Sequence, residues 1–323
     1  MKIAITWDYE LFFGERSGSV AQCMLEPTNR LLSLAAKYKI PFTFFPDAGC
    51  LIKFEEQSAC HDALQAIKNQ IQLWDSKGHE TGLHIHPHWE KSSWNGQQWE
   101  HDLSFYKLSD FSAEEASGIV ERYASYMNSL LSQPMQSYRA GGWCAQPFAP
   151  VADAMKKAGI HLDSSVFKGG KNTTKPYHYD FTDTPDVSHW KFTEDPAVFH
   201  AAGDFTELPI ASMNYSPLFF WKLFVLGRLN PGQHKPIGNG LPAKGGGSKK
   251  ELLTRSHRLC VSADGYFSTQ LNNALRKAKQ ANEPFLVVIG HPKALTPYGL
   301  KTLEAFIAKH HRNHEFVTLS SIL

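Results

Sequence analysis

Short apolar stretches that end in polar clusters alternate with amphipathic stretches along nearly the whole chain, and this alternation restricts the fold more than any other feature. Residues 2–7 form an apolar strand that runs into Asp8 and Glu10. A helical stripe follows over 28–39, where Leu31, Leu32, Leu34 and Ala35 recur at helical spacing. The β-forming run PFTFF (41–45) comes next and is ended by Pro46–Asp47. Residues 59–77 predict a second helix and 80–85 a strand, followed by a Trp-rich loop over 87–99. Residues 113–131 predict a helix that Ser112 can cap with Glu115. Then come a short strand in SYRAGG, a helix over 151–157, the strand FLVVIGH (285–291) and a helix over 298–310. Strands alternating with helices imply an α/β fold with a mostly parallel sheet. Polar clusters at strand ends suit a barrel with its site in the loops after the strands. The pattern breaks only in a Gly- and Pro-rich stretch at about 228–250 that contains GGGSKK. With no internal repeat, we expect one catalytic domain over 1–323 carrying a Gly/Lys-rich loop or insertion there.

Composition removes several function classes. A net charge of +2 gives no electrostatic case for nucleic acid, and 42% hydrophobic residues are ordinary for a packed globular protein. Five scattered cysteines without a CxxC pair suggest neither a disulfide framework nor a thiolate zinc site. The opening MKIAITWDYE reads directly as a first strand, without the apolar run of a secretory signal, so a cytoplasmic location is expected. The most apolar window, PLFFWKLFVLG (217–227), is interrupted by Lys222 and too short for a bilayer span of about 20 residues. It predicts a buried helix, or else a peripheral membrane or lipid-carrier contact.

Histidine is over-represented, with 16 in the chain, so spacing must separate chemistry from background. GHETGLHIHPHW (78–89) holds four of them. His84 and His88 stand four apart, a separation at which two imidazoles can meet one ion across a turn. His84 and His86 stand two apart and share a face if the segment stays extended. Pro87 argues for a turn at that point. In WDYE, Asp8 and Glu10 fall on the same side of an extended segment, with Tyr9 opposite. Two carboxylates beside two imidazoles make an N,O ligand set for zinc or another divalent ion. His291 follows an apolar strand where a general acid can sit, and Arg139 follows another beside two glycines.

Taken in order, ITWDYE, PFTFFPDAG, GHETGLHIHPHW, YRAGGW and VVIGHP resemble the motifs of the polysaccharide deacetylases, the NodB-homology or carbohydrate esterase family 4 group. That family carries a strand ending in TFDDG, an FF-containing strand, GHEIGNHTxSH, an Arg motif and a late Leu-x-His. The resemblance runs from residue 3 to about residue 296 and implies a distorted (β/α) barrel. It places His84 and His88 on the metal pair, with His86 the alternative to His88. It places Asp8 on the general base, Arg139 on the residue that orients that base, and His291 on the general acid. Tyr9 occupies the place of the family's second, metal-binding aspartate, and Glu10 takes over that role. The alternative gives Asp8 itself to the metal.

The resemblance implies hydrolysis of an N-acetyl group with a divalent ion, zinc first and cobalt, nickel or manganese as substitutes. Trp89 and Trp143, each beside a motif, are candidates to stack on a sugar. Without an export signal, the expected substrate is a nucleotide- or lipid-linked N-acetyl sugar of surface polysaccharide synthesis. Lys244, Lys249 and Lys250 are candidates to meet a diphosphate. A hydrolase of linear amides or esters, and a silent carbohydrate-binding relative, are the rival readings.

Overall fold

The computed structural model describes residues 1–243 and 248–323. In chain order the main elements begin with β1 (Lys2–Tyr9), α1 (Glu26–Tyr38), β2 (Thr43–Pro46), α2 (Ala48–Glu55) and α3 (His61–Ser76). They continue with β3 (Glu80–Thr81), β4 (Leu83–Ile85), α4 (Ala113–Asn128), β5 (Ser137–Ala140), α5 (Ala152–Lys157) and β6 (Leu162–Asp163). Then come β7 (Trp190–Phe192), β8 (Phe205–Glu207), β9 (Ser212–Tyr215), α6 (Pro217–Leu229), α7 (Pro231–His234) and α8 (Lys249–Thr254). The chain closes with β10 (His257–Cys260), α9 (Leu271–Gln280), β11 (Phe285–Gly290), α10 (Pro297–His310) and β12 (Glu315–Phe316).

Two sheets form the wall of a distorted barrel. One has the order β11-β1-β2-β3, with β12 also on β1, and the other β7-β8-β6-β5-β4. Pairing is parallel, from Lys2 opposite Phe285 to Trp7 opposite Gly290 and from Thr6 opposite Thr43 to Tyr9 opposite Pro46; only β7 runs antiparallel to its neighbour. One seam is closed where Asp47 bridges to His84. The other is closed where Ala211 N–H donates to the Val287 carbonyl at 2.9 Å.

The alternation expected from sequence produces two apolar layers. Ile3, Ile5, Trp7 and Tyr9 of β1 point outward into the large core under the helices. Ala4 points inward and packs with Phe45, Leu162, Leu208, Val287 and Leu319 in the barrel. By the same period of two, Thr6 and Asp8 lie on the inward side above Ala4. Ser112 caps α4 together with Glu115, as its sequence predicts.

The strand expected over 80–85 is two strands, one in each sheet. The change comes at Gly82, where a Cβ would stand 2.3 Å from the Phe45 ring and 2.6 Å from Ser137 Oγ, so only glycine lets the chain cross there. Within the 228–250 segment, Ile237 and Gly238 donate to the Leu295 and Lys293 carbonyls, and Gly14 donates to the Leu241 carbonyl at 3.0 Å. Those bonds fold residues 237–241 against the end of the barrel. Lys244 lies outside the described residues. No helix among the described residues is long and apolar enough to cross a membrane.

Candidate metal centre

Four parallel strands deliver polar side chains to one end of the barrel. Asp8 and Glu10 come from the end of β1, His84 and His86 from β4, Arg139 from β5, and His291 follows β11. These are the C-terminal strand ends, where barrels of this type build their sites.

Glu10, His84 and His86 are buried, and one ligand atom from each lies within 4.8 Å of the others. Glu10 Oε2 is 2.5 Å from His86 Nε2 and 3.3 Å from His84 Nε2. His84 Nδ1 donates to the Arg139 carbonyl at 2.8 Å, which leaves Nε2 to face the cluster. The His86 ring lies against Gly141, where a Cβ would stand 2.5 Å from Nδ1. The other Glu10 oxygen accepts from Lys293 Nζ at 2.8 Å, and the same ammonium donates to the Leu11 carbonyl. Burial alone would raise the Glu10 carboxyl, but Lys293, His86 and His84 hold it well below the usual carboxylate range. For His84, burial opposes the charged ring, yet Asp8 and Glu10 raise its pKa. A metal ion bound at this imidazole would therefore compete with protons. The donor set, one carboxylate oxygen and two imidazole nitrogens converging in a buried spot, fits a divalent transition ion.

A second set of groups borders the cluster. Asp8 Oδ1 accepts from Arg139 Nη1 at 2.9 Å, and Asp8 Oδ2 stands 3.7 Å from His291 Nε2. Arg139 is fully buried inside the barrel, and each of its three guanidinium nitrogens has a partner. It also donates to Thr6 Oγ1 at 2.8 Å, to the Ser164 carbonyl at 2.8 Å and to Ser164 Oγ at 3.1 Å. Asp264 grips His291 twice, accepting from its backbone N–H at 2.7 Å and sitting 2.8 Å from Nδ1. Burial works against a charged His291, but Asp264, Asp8 and Glu10 outweigh it and raise the pKa to about 9. A cleft of about 210 Å³ opens onto Asp8, Glu10, His86 and His291, walled by Tyr106, Trp143 and Tyr177 and bordered by Pro242 and Ala243.

No family model and no curated protein matches the sequence. Solved structures do. A protein from Mycobacterium smegmatis assigned to the polysaccharide deacetylases aligns over 99% of this chain and 88% of its own, at 15% identity and a TM-score of 0.54. The chain has the polysaccharide deacetylase fold. Puue allantoinase aligns over 99% of this chain and 88% of its own, at 13% identity and a TM-score of 0.51. The fold therefore spans proteins with different names, and the activity has to be argued from the residues at the barrel end.

On this deacetylase fold the sequence-predicted residues separate into two groups. Asp8, Glu10, His84, Arg139 and His291 meet at the barrel end, and Trp143 lines the cleft. His88 does not join Glu10 and His84; His86 does. The reason is local. Residues 84–86 stay extended, so positions two apart share a face, and Pro87 then starts a tight turn over Pro87–Lys91. His88 is turned away, stacked parallel to the Tyr106 ring at 5.6 Å and in contact with Phe13. Burial lowers its pKa, so it stays neutral. Trp89 is also withdrawn from any sugar, being fully buried with its indole N–H donating to Asp47 Oδ2. Sequence reasoning missed Lys293 and Asp264. Lys293 stands two residues past His291 in GHPK and was findable there, whereas Asp264 lies 27 residues before its partner with no spacing to mark it.

Proposed function

We propose that the chain is a metal-dependent hydrolase that removes the N-acetyl group from an amino sugar. The observation that carries this reading is the pairing of two fixed groups, Asp8 on Arg139 and His291 on Asp264, beside the Glu10–His84–His86 donor set in one cleft. Glu10 Oε2, His84 Nε2 and His86 Nε2 would hold the ion, which when bound supplies Lewis acidity toward the acetyl carbonyl and the attacking water. Asp8, steadied through Oδ1 by Arg139, takes the proton of that water on Oδ2. His291, kept protonated near neutral pH by Asp264, gives its proton to the departing amine, a very poor leaving group without it. Trp143 and Tyr177, both part-exposed at the cleft, offer aromatic surface to a pyranose ring, with the buried Tyr106 behind them.

The cleft supports a small acetylated head group as substrate. At about 210 Å³ it is smaller than the roughly 300–1,000 Å³ of most ligand pockets, which suits one sugar ring of a nucleotide- or lipid-linked precursor better than a length of polymer. Zinc is the first choice of ion for an N,N,O set, with cobalt, nickel or manganese as alternatives. One observation favours a second reading, a silent carbohydrate-binding relative: Lys293 already neutralises Glu10 from the side opposite the imidazoles. Metal analysis of the purified protein, together with acetate release from N-acetylglucosamine oligomers and UDP-linked N-acetyl sugars, separates the two. A hydrolase holds about one ion per chain and releases acetate from a linked monosaccharide. A chain that binds sugar but holds no ion and frees no acetate is the silent relative.

A further inference from the structure

The helix α6 turns an apolar face to solvent. Of ten exposed large apolar side chains among the described residues, four stand on this one helix: Leu218, Trp221, Val225 and Leu229. At about 100° per residue they fall within an arc of about 80°. Arg228 borders that arc on one side and Lys222 on the other, both exposed, and the helix contains no Asp or Glu. The opposite face holds the helix to the barrel through buried Phe219 and Phe220, with Phe219 4.8 Å from the Tyr215 ring and 5.0 Å from Phe267. Trp221 is fixed as well, its indole N–H donating to the Leu253 carbonyl of α8 at 3.2 Å while 52% of the residue remains exposed.

Charge is segregated in the same place. Residues 217–258 carry eight Lys and Arg against Glu251 alone, a net of +7, while the remaining 25 Lys and Arg face 30 Asp and Glu, a net of −5. The near-zero charge of the chain conceals a strongly basic segment that begins with its most exposed apolar helix and carries two of its cations, Lys222 and Arg228, on that helix. Lys249, Lys250 and Arg255, exposed on and beside α8, belong to it, and α8 lies against α6.

We propose that α6 docks the protein on the surface of an anionic phospholipid bilayer, with the Leu218–Trp221–Val225–Leu229 stripe entering the interface and the flanking cations meeting lipid phosphates. A narrow apolar stripe bordered by Lys and Arg is what such an interface accepts, and a Trp with one polar end tied and its ring exposed suits the headgroup level. A second copy of the chain is a poor occupant, because it would press the exposed Lys222, Arg228, Lys249, Lys250 and Arg255 against their own counterparts. The chain leaving α6 reaches Gly238, whose N–H donates to the Lys293 carbonyl at 3.1 Å, so the docking helix is joined to the rim of the cleft.

The test uses the full-length protein and vesicles of phosphatidylcholine, alone or mixed with phosphatidylglycerol. We expect co-sedimentation with the mixed vesicles at least tenfold above phosphatidylcholine alone, falling as salt is raised, with a blue shift of tryptophan emission that is lost in Trp221→Phe. Leu218→Ser combined with Val225→Ser and Leu229→Ser should abolish binding while the circular dichroism spectrum is kept. Lys222→Glu with Arg228→Glu, which alters no buried residue, should do the same. Failure to bind mixed vesicles, binding that survives both variants, or an α6-dependent dimer in solution that leaves vesicles unbound would each overturn the proposal.

Discussion

Two buried acidic regions of this barrel lie close in structure and differ in their charge state. At the barrel end, Asp8 and Glu10 are surrounded by Arg139, Lys293 and three histidines, and Glu10 is held well below the usual carboxylate range despite its burial. On the wall below, Asp163 and Glu207 are equally buried but have mainly each other, with Ser165 Oγ 2.6 Å from Asp163 and the Val166 N–H 3.2 Å from Glu207. There burial pushes Glu207 well above its ordinary range, and the neighbouring Asp163 adds to the rise. Burial is common to both regions, so compensation decides the charge. The barrel end is built to keep Glu10 charged and to attract cations. The pair on the wall lacks that compensation, and burial favours its protonated form. This difference is why the proposed chemistry is assigned to the first region and not to the second.

The sharpest way to break that contrast is to remove ligands from the charged region. His84→Ala, Glu10→Ala and His86→Ala should each lower metal affinity by at least about 100-fold, because even partners behind a ligand cost 10–100-fold. His88→Gln should change it by less than about tenfold. Metal titration of the four variants decides it, and loss of affinity in His88→Gln with retention in His86→Ala would reverse the ligand assignment. Next in size is Arg139→Met. It leaves Asp8 buried without its partner and should destabilise the fold by roughly 3–5 kcal/mol, read by urea unfolding of the metal-free protein.

The fold was largely legible because its strands are apolar and end in chemistry. β1 and β11 and the helices α1, α3, α4 and α10 all lie where periodicity places them, within a few residues. Among the elements that escaped are the helices α2 and α9, the strands β6, β7 and β8 at two or three residues each, too short to show a period, and the β9–β10 pair, whose strands are separated by 41 residues. At the site, spacing identified which segments converge but not which imidazole of a crowded HxHxH run turns inward. That choice depended on a backbone event at Pro87. Asp264 was illegible for another reason. Its contact with His291 exists only because β10 and β11 are brought together at the far end of a long connection.

A moderate effect tests whether the charged region holds a proton as its contacts imply. In the metal-free protein the His291 ring should titrate near pH 9, followed by the shift of its Cε1 proton in NMR spectra. Burial alone would lower it, so Asp264→Asn, which removes the main opposing charge, should bring the titration down by at least about one unit toward the ordinary 6.5. If His291 titrates at the same pH in both proteins, Asp264 does not set its charge.

The smallest effect belongs to the pair on the wall. Glu207 has a folded pKa raised above its ordinary 4.5, so the folded protein binds more protons than the unfolded chain once the pH exceeds that value. Its stabilising contribution is therefore complete below about pH 4.5 and is lost as the pH rises toward the folded value. Glu207→Gln imitates the protonated acid at every pH, since the amide N–H can donate to Asp163 and its carbonyl can accept from Val166. At pH 4 the variant should match the wild type to within about 1 kcal/mol. As the pH rises the variant should gain relative to the wild type, because only the wild type has an acid whose ionisation opposes burial. Urea unfolding across this range reads the sign directly. A variant that instead loses ground as the pH rises would mean that Glu207 is charged in the folded protein and that the two acidic regions do not differ as described.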